Sequence, residues 1–261
     1  MSNNHILIHD SNSNQIKGIN KHILKNIDSD MNILFSKFHG KLLSIVQKYK
    51  PKAAMISSSE YTQEFHDFIA EYHNKITIFL VVDTFINNDN LNKFLDNTKI
   101  KIIKNNKVPT QYSNLIVEYS NLYDDELFYD RKLERNNKTI ALLSLDNKKN
   151  DILKAITYPN KKYPIVAINN PNFKSPINLG LSNYSDLSDI FNKYSKVIDI
   201  DKRFVLEAQA SNIPSLEFED TEESLVASLD NNKTLAPIEN IKEYTYEFFV
   251  KQTLLPYIRN T

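Results

Sequence analysis

Short apolar runs alternate with helical patterns along the whole of this 261-residue chain, and that alternation confines it to parallel α/β architecture. In the first half, strands are predicted at His5–His9, Asn32–Phe35, Ala53–Ser57, Ile76–Asp83 and Leu115–Glu118. Helices are predicted around Ile16–Asn26, Lys41–Lys50 and Thr62–Asn74. The last of these carries Phe65, Phe68, Ile69 and Tyr72 at helical spacing, a core-facing stripe. The charged segment Tyr129–Lys138 then breaks the pattern and reads as a linker. A second alternation follows, with strands at Thr139–Leu145, Pro164–Asn169, Lys196–Asp201 and Ser215–Glu219. Its helices are predicted at Lys149–Ile156, Asp186–Tyr194, Phe204–Ser211 and Thr221–Leu229. A last helix, Ile238–Arg259, follows Pro237 and bears Ile241, Tyr244, Phe248, Leu255 and Ile258 near a period of 3.6, with Pro256 kinking it. The expectation is two Rossmann-like domains, 1–130 and 131–261, facing a cleft, with helix 238–259 closing the second and packing across the domain junction. Ligands of such sheets bind at the carboxyl ends of the strands.

Composition narrows the function classes. The formal net charge is zero, so no global basic field draws the chain to nucleic acid or anionic lipid. Cysteine is absent, which removes disulfides and thiolate metal sites and fits a reducing cytoplasm. No run of about 18 apolar residues predicts a transmembrane helix, and the polar start Met1-Ser2-Asn3-Asn4 does not read as a signal peptide. A cytoplasmic location is expected. Glycine occurs three times, at Gly18, Gly40 and Gly180. That is about a sixth of ordinary usage, and it bears on any phosphate-binding chemistry.

The string Glu207-Ala208-Gln209-Ala210-Ser211-Asn212-Ile213-Pro214-Ser215-Leu216 reads as the end of a helix, a turn and the start of a buried strand. Asn212 suits the left-handed conformation that ends a helix, and Pro214 forbids more helix. The string resembles the EAMAxGxP signature of family-4 retaining glycosyltransferases, whose fold is the two-domain GT-B arrangement and whose glutamate binds the ribose of a sugar nucleotide. Other pieces of the family pattern occur in order. Ser120-Asn121-Leu122-Tyr123-Asp124, with Phe128, resembles the segment entering the second domain. Ser144-Leu145 and Lys148-Lys149 resemble the turn whose arginine and lysine hold a diphosphate, the arginine having no counterpart. Ile165-Val166-Ala167-Ile168-Asn169-Asn170 matches a strand that ends in glycines in the family. Asn178-Leu179-Gly180, followed by Ser185 to Phe191, is the cleanest match. After Val197-Ile198-Asp199-Ile200-Asp201 the family has a glycine-rich loop, and here Lys202-Arg203 leads straight into Phe204.

The departures have a physical meaning. A diphosphate is held by backbone N–H groups at glycine turns and helix N-termini, where no side chain blocks approach. Lys148, Lys149 and Arg203 substitute as point charges without rebuilding that cradle. The resemblance therefore implies a nucleotide-sugar donor held by Glu207, Lys148, Lys149, Gly180 and Arg203, with reduced transfer activity. In the first domain, Ile78–Asp83 followed by Thr84 falls where the family has a strand ending in His-Asp, with Val82 in place of the histidine. His9-Asp10, at the end of the first strand, is the other acid/base or acceptor candidate. His9, Asp10 and Asp83 are thus the catalytic candidates.

All six histidines lie within the first 73 residues, and His66 and His73 are two helical turns apart, too far to chelate one ion alone. No metal site is expected, and the only co-substrate expected is the nucleotide-sugar, with a glycan or protein acceptor. No Ser-His-Asp signature, Walker loop or GxGxxG occurs. The alternative is a degenerate, non-catalytic GT-B protein binding a partner or glycan, similar to the GT-B-like partner proteins of bacterial accessory Sec export systems. A phosphoacceptor module of response-regulator type finds no matching pattern.

Overall fold

A computed structural model describes residues 5–9, 14–28, 31–36, 39–57, 62–83, 89–144, 146, 148–157, 162–168 and 183–260. They form two compact units: Met1–Tyr123 with Glu243–Thr261, and Asp124–Lys242. The sequence reading drew its boundary at 130 and kept 131–261 together.

The first unit holds β1 (His5–His9), α1 (Asn14–Asn26), β2 (Asn32–Ser36), α2 (Leu42–Tyr49), β3 (Ala53–Ser57), α3 (Gln63–Tyr72), β4 (Thr77–Val82), α4 (Asp89–Asp96), β5 (Lys101–Asn105) and β6 (Leu115–Tyr119). Its six strands make one parallel sheet in the order β2-β1-β3-β4-β5-β6. Successive strand residues face opposite sides, so the sheet builds two cores. Ile6, Ile8, Met55, Phe79 and Val81 pack on one side with α1 and the C-terminal segment. Leu7, Ala54, Ile56, Leu80 and Val82 pack on the other with α2, α3 and α4.

The second unit holds β7 (Asn136–Leu142), α5 (Asp151–Thr157), β8 (Ile165–Ile168), α6 (Tyr184–Lys193), β9 (Tyr194–Asp199), α7 (Val205–Ala210) and α8 (Glu222–Asn231). Three of these pair in parallel in the order β8-β7-β9. Ala141, Leu143, Leu153, Ile198, Leu216 and Leu225 are in its core. The chain is therefore a mixed α/β protein with two parallel sheets.

The elements depart from expectation in four places. Strand β5 and helix α4 were missed, because Asp89–Asn105 is rich in Asn and Lys and its apolar residues, Leu91, Phe94, Leu95, Ile100, Ile102 and Ile103, are few and interrupted. Ser215–Glu219 is not a regular strand; it makes single bridges through Val197–Ser215 and Leu216–Thr234. Tyr129–Lys138 is irregular up to Asn136, yet it is anchored. The Arg131 backbone N–H donates to Asn192 Oδ1 at 2.9 Å, its guanidinium to Ser188 Oγ at 2.6 Å, and the Arg135 guanidinium to the carbonyls of Ser211 and Asn212 at 2.5 Å.

The last helix does not start at Ile238. Ile241–Tyr244 is a 3₁₀ turn, and regular helix begins at α9 (Tyr246–Phe249), capped by Thr245 Oγ1, which accepts from Phe248 N–H at 3.0 Å. Val250–Leu254 is a π turn leading into α10 (Leu255–Arg259). Pro256 supplies no N–H for the carbonyl four residues earlier, and widening the preceding turn accommodates that gap. Tyr246, Phe249, Val250, Leu254, Leu255 and Ile258 are buried in the first unit's core. Among the described residues, no helix is long and apolar enough to cross a membrane.

Candidate functional site

Parallel sheets offer their carboxyl strand ends to ligands, and in the second unit the sequence candidates lie just past β7 and β9. After β7, Ser144, Asp146 and Lys148 are tied together around the fully buried Asn150. Ser144 N–H donates to Asn150 Oδ1 at 2.9 Å, and Asn150 Nδ2 donates to the Ser144 and Asp146 carbonyls at 2.8 and 3.3 Å. Asp146 N–H donates to Ser144 Oγ at 3.0 Å, and Lys148 N–H to Asp146 Oδ1 at 3.0 Å. Side-chain acceptors have thus taken up the Ser144, Asp146 and Lys148 N–H groups, donors that a glycine turn would turn toward phosphate. Lys148 and Lys149 stand exposed at the tip.

After β9, Asp201 collects the cations. It accepts Lys149 Nζ at 3.2 Å and pairs with Arg203 Nε at 3.5 Å. Arg203 also donates to the Leu143 carbonyl at 3.4 Å and lies 5.4 Å from the Phe204 ring. Lys149 and Arg203 are therefore brought together. Lys148 has no side-chain partner among the described residues.

Glu207 sits in α7, 5 % exposed, and its carboxylate accepts the Tyr184 hydroxyl at 2.9 Å. Tyr184 opens α6, which is started by a capping box between Asn183 and Asp186. Its ring packs edge-on against Phe128 at 4.9 Å. A buried carboxylate at a helix start is thus held in place by a phenol that is itself held in place by aromatic packing.

Asp199, the last residue of β9, is also buried, and its Oδ2 accepts the Phe204 N–H at 2.6 Å. Burial pushes its carboxyl above the ordinary 3.8, opposed by the hydrogen bonds from the Phe204 and Arg203 backbones. The N–H at the entrance to α7, where an anion would dock, is already bound to a carboxylate of the chain.

In the first unit, His9 is buried at the carboxyl end of β1, and Asp83 follows β4 directly. Strand β3 lies between those two strands, so the pair is not neighbouring in the sheet. Asp10 and Gly180 fall outside the described residues. Sequence reading missed Tyr184, which precedes the expected helix by two residues, and Asn150 and Asp201. The alternation Asp199-Ile200-Asp201 at a strand end was the signal for Asp201, since residues two apart along an extended chain fall on one face.

No family model matches the chain, and no curated protein matches it. Solved structures do. UDP-GlcNAc 2-epimerase from Methanocaldococcus jannaschii aligns at a TM-score of 0.56 and 9% identity, over 98% of this chain and 99% of that one. A glycosyltransferase from Rickettsia africae ESF-5 aligns at 0.56 and 12% identity, over 98% and 88%. The chain has a GT-B-like fold. The GtfA/B complex bound to UDP and GlcNAc aligns at only 0.43 and 11% identity, over 81% and 59%, a likeness too low to carry an argument. At these identities the likeness concerns fold alone; activity does not follow from it.

Proposed function

We propose that this chain is a glycosyltransferase-like protein that binds a nucleotide-sugar donor at the carboxyl ends of β7 and β9. In this reading the two units form a GT-B pair, and the C-terminal segment crosses their junction. The observation that carries the reading is Glu207: a buried carboxylate held at 2.9 Å by Tyr184, on the helix that follows Asp201 and Arg203, to which Lys149 is joined through Asp201. A carboxylate has about four lone-pair positions, so a ribose diol can bind beside the phenol. Lys149 and Arg203 would attract the diphosphate as point charges in open solvent, and Lys148 would add a third.

The second reading, a non-catalytic GT-B protein that binds a protein partner or glycan, is favoured by Asp199. Its carboxylate occupies the Phe204 N–H at the head of α7, and the Ser144, Asp146 and Lys148 N–H groups are bound to side chains of the same turn. Removing one donor to developing charge costs about 100- to 1000-fold in rate. A chain lacking several would bind donor far better than it transfers sugar. Calorimetric titration with UDP-, GDP- and CDP-sugars tests both. Saturable binding with sugar transfer to an acceptor supports the enzyme, binding without transfer supports the partner reading, and silence across the panel removes the donor site.

A further inference from the structure

The amino ends of β3, β4 and β5 border a recess of about 750 Å³ in the first unit, at the opposite edge of that sheet from its carboxyl ends. Five lysines line it, Lys50, Lys52, Lys75, Lys99 and Lys101, with His73; among the described residues no aspartate or glutamate does. In a chain of zero net charge such an accumulation is local, and like charges around one recess reinforce each other's potential.

Internal partners account for only part of it. Lys75 pairs with Glu71 at 3.3 Å and lies 4.8 Å from the Tyr72 ring, and Lys101 lies 5.4 Å from the Phe79 ring. Lys50, Lys52 and Lys99 have no side-chain acceptor among the described residues. The walls are fixed. The Lys99 backbone N–H donates to His73 Nδ1 at 3.2 Å, joining the turn after α3 to the turn before β5. Lys50 ends α2 in the left-handed conformation, φ 45°, its N–H bonded to the Val46 carbonyl at 2.9 Å. Preformed walls spare a ligand the cost of ordering them.

We infer that this recess binds a small oligophosphate, a ligand whose closely spaced negative charges engage three or more of these ammonium groups at once. Its size is that of a pocket for one small molecule. A flat lipid surface would not enter it, and a nucleic acid would need a longer basic track. The inference is independent of the nucleotide-sugar reading and concerns a different unit.

The test is a titration of inorganic tripolyphosphate into the full chain at low salt. Saturable, salt-sensitive binding is expected. The triple variant Lys52→Gln, Lys99→Gln, Lys101→Gln should weaken it at least tenfold, and by more than Lys148→Gln with Lys149→Gln does. If the triple variant loses its melting transition, the single variant Lys99→Glu serves and should show the same direction. Three outcomes overturn the inference: no binding by the wild type, loss only in the Lys148 and Lys149 variant, or binding to phosphatidylserine vesicles without binding to tripolyphosphate. UDP-sugar titration of the same triple variant reads the other site separately, so failure of one leaves the other standing.

Discussion

Gly18 in α1 faces the ring of Tyr246 so closely that a Cβ added to it would fall within 2.7 Å of three ring atoms. Tyr246 is 1 % exposed and belongs to the same core as Ile19 and Ile23, so the ring has nowhere to retreat. The glycine is a contact requirement, because its lack of a side chain lets the C-terminal segment seat on α1. Gly18→Ala should gain up to about 1 kcal/mol of helix propensity. Overpacking should cost about 1–3 kcal/mol and outweigh that gain. Urea denaturation should show a net loss, whereas Gly40→Ala, with nothing within 4 Å of the added carbon, should stay near wild type. Equal midpoints for wild type and Gly18→Ala would refute the close seating.

That contact also shows what could be read from the sequence. The strands of the first sheet were legible because a parallel strand buried on both faces is a continuous apolar run, as in Ala53–Ser57. Strand β5 was not, because Lys101 and Lys104 break its run. The apolar stripe over 238–259 was visible, but periodicity carries no partner, and nothing in it named α1 as the surface it covers. At the site, Glu207 was legible through its neighbours. Its support by Tyr184, 23 residues away, was not, since a lone tyrosine before a helix has no distinguishing spacing.

Lys104 is 2 % exposed, and its ammonium donates to the carbonyls of Val108 at 3.0 Å and Thr110 at 3.2 Å, with Glu118 at 3.4 Å. A buried lysine persists only when its donors are satisfied, and here it closes the loop from β5 toward β6. Lys104→Ala leaves buried carbonyl acceptors unmatched, at about 1–3 kcal/mol each. The expected result is a fall in unfolding free energy of about that size or more. Hydrogen exchange should also accelerate in the loop around Val108–Thr110, and uniform exchange across the unit would argue against a local closing role.

Asp199 makes stability depend on pH in a defined direction. Burial raises its folded-state value above the ordinary 3.8, so the folded protein holds that proton more tightly than the unfolded chain. The associated stability is fully present below the unfolded value and is lost as pH rises through the folded value. Asp199→Asn keeps an acceptor for the Phe204 N–H and removes the titration. Relative to wild type, the variant should therefore grow more stable as pH rises from about 4 toward neutrality. A difference in unfolding free energy that stays constant over that range would show that this carboxyl does not titrate differently on folding.

The donor site makes the last prediction, and its parts separate by chemistry. If a sugar nucleotide binds beside Glu207, the carboxylate accepts a ribose hydroxyl through a charge-assisted bond worth about 1.5–3 kcal/mol. Glu207→Gln keeps the shape and an acceptor for the Tyr184 hydroxyl while removing the charge, so affinity should fall by about ten- to a hundredfold. Tyr184→Phe removes only the phenol that orients the carboxylate, and a loss of about 0.5–1.5 kcal/mol is expected. Because the two groups touch, the double variant should lose less than the sum of the singles. Lys149→Ala should weaken only ligands that carry phosphates, and less so at high salt, because its ammonium is exposed. A nucleoside without phosphate should therefore respond to Glu207→Gln and ignore Lys149→Ala. If the wild type binds donor and all of these variants retain its affinity, the donor lies elsewhere, and the Tyr184–Glu207 pair serves only to fasten α6 to α7.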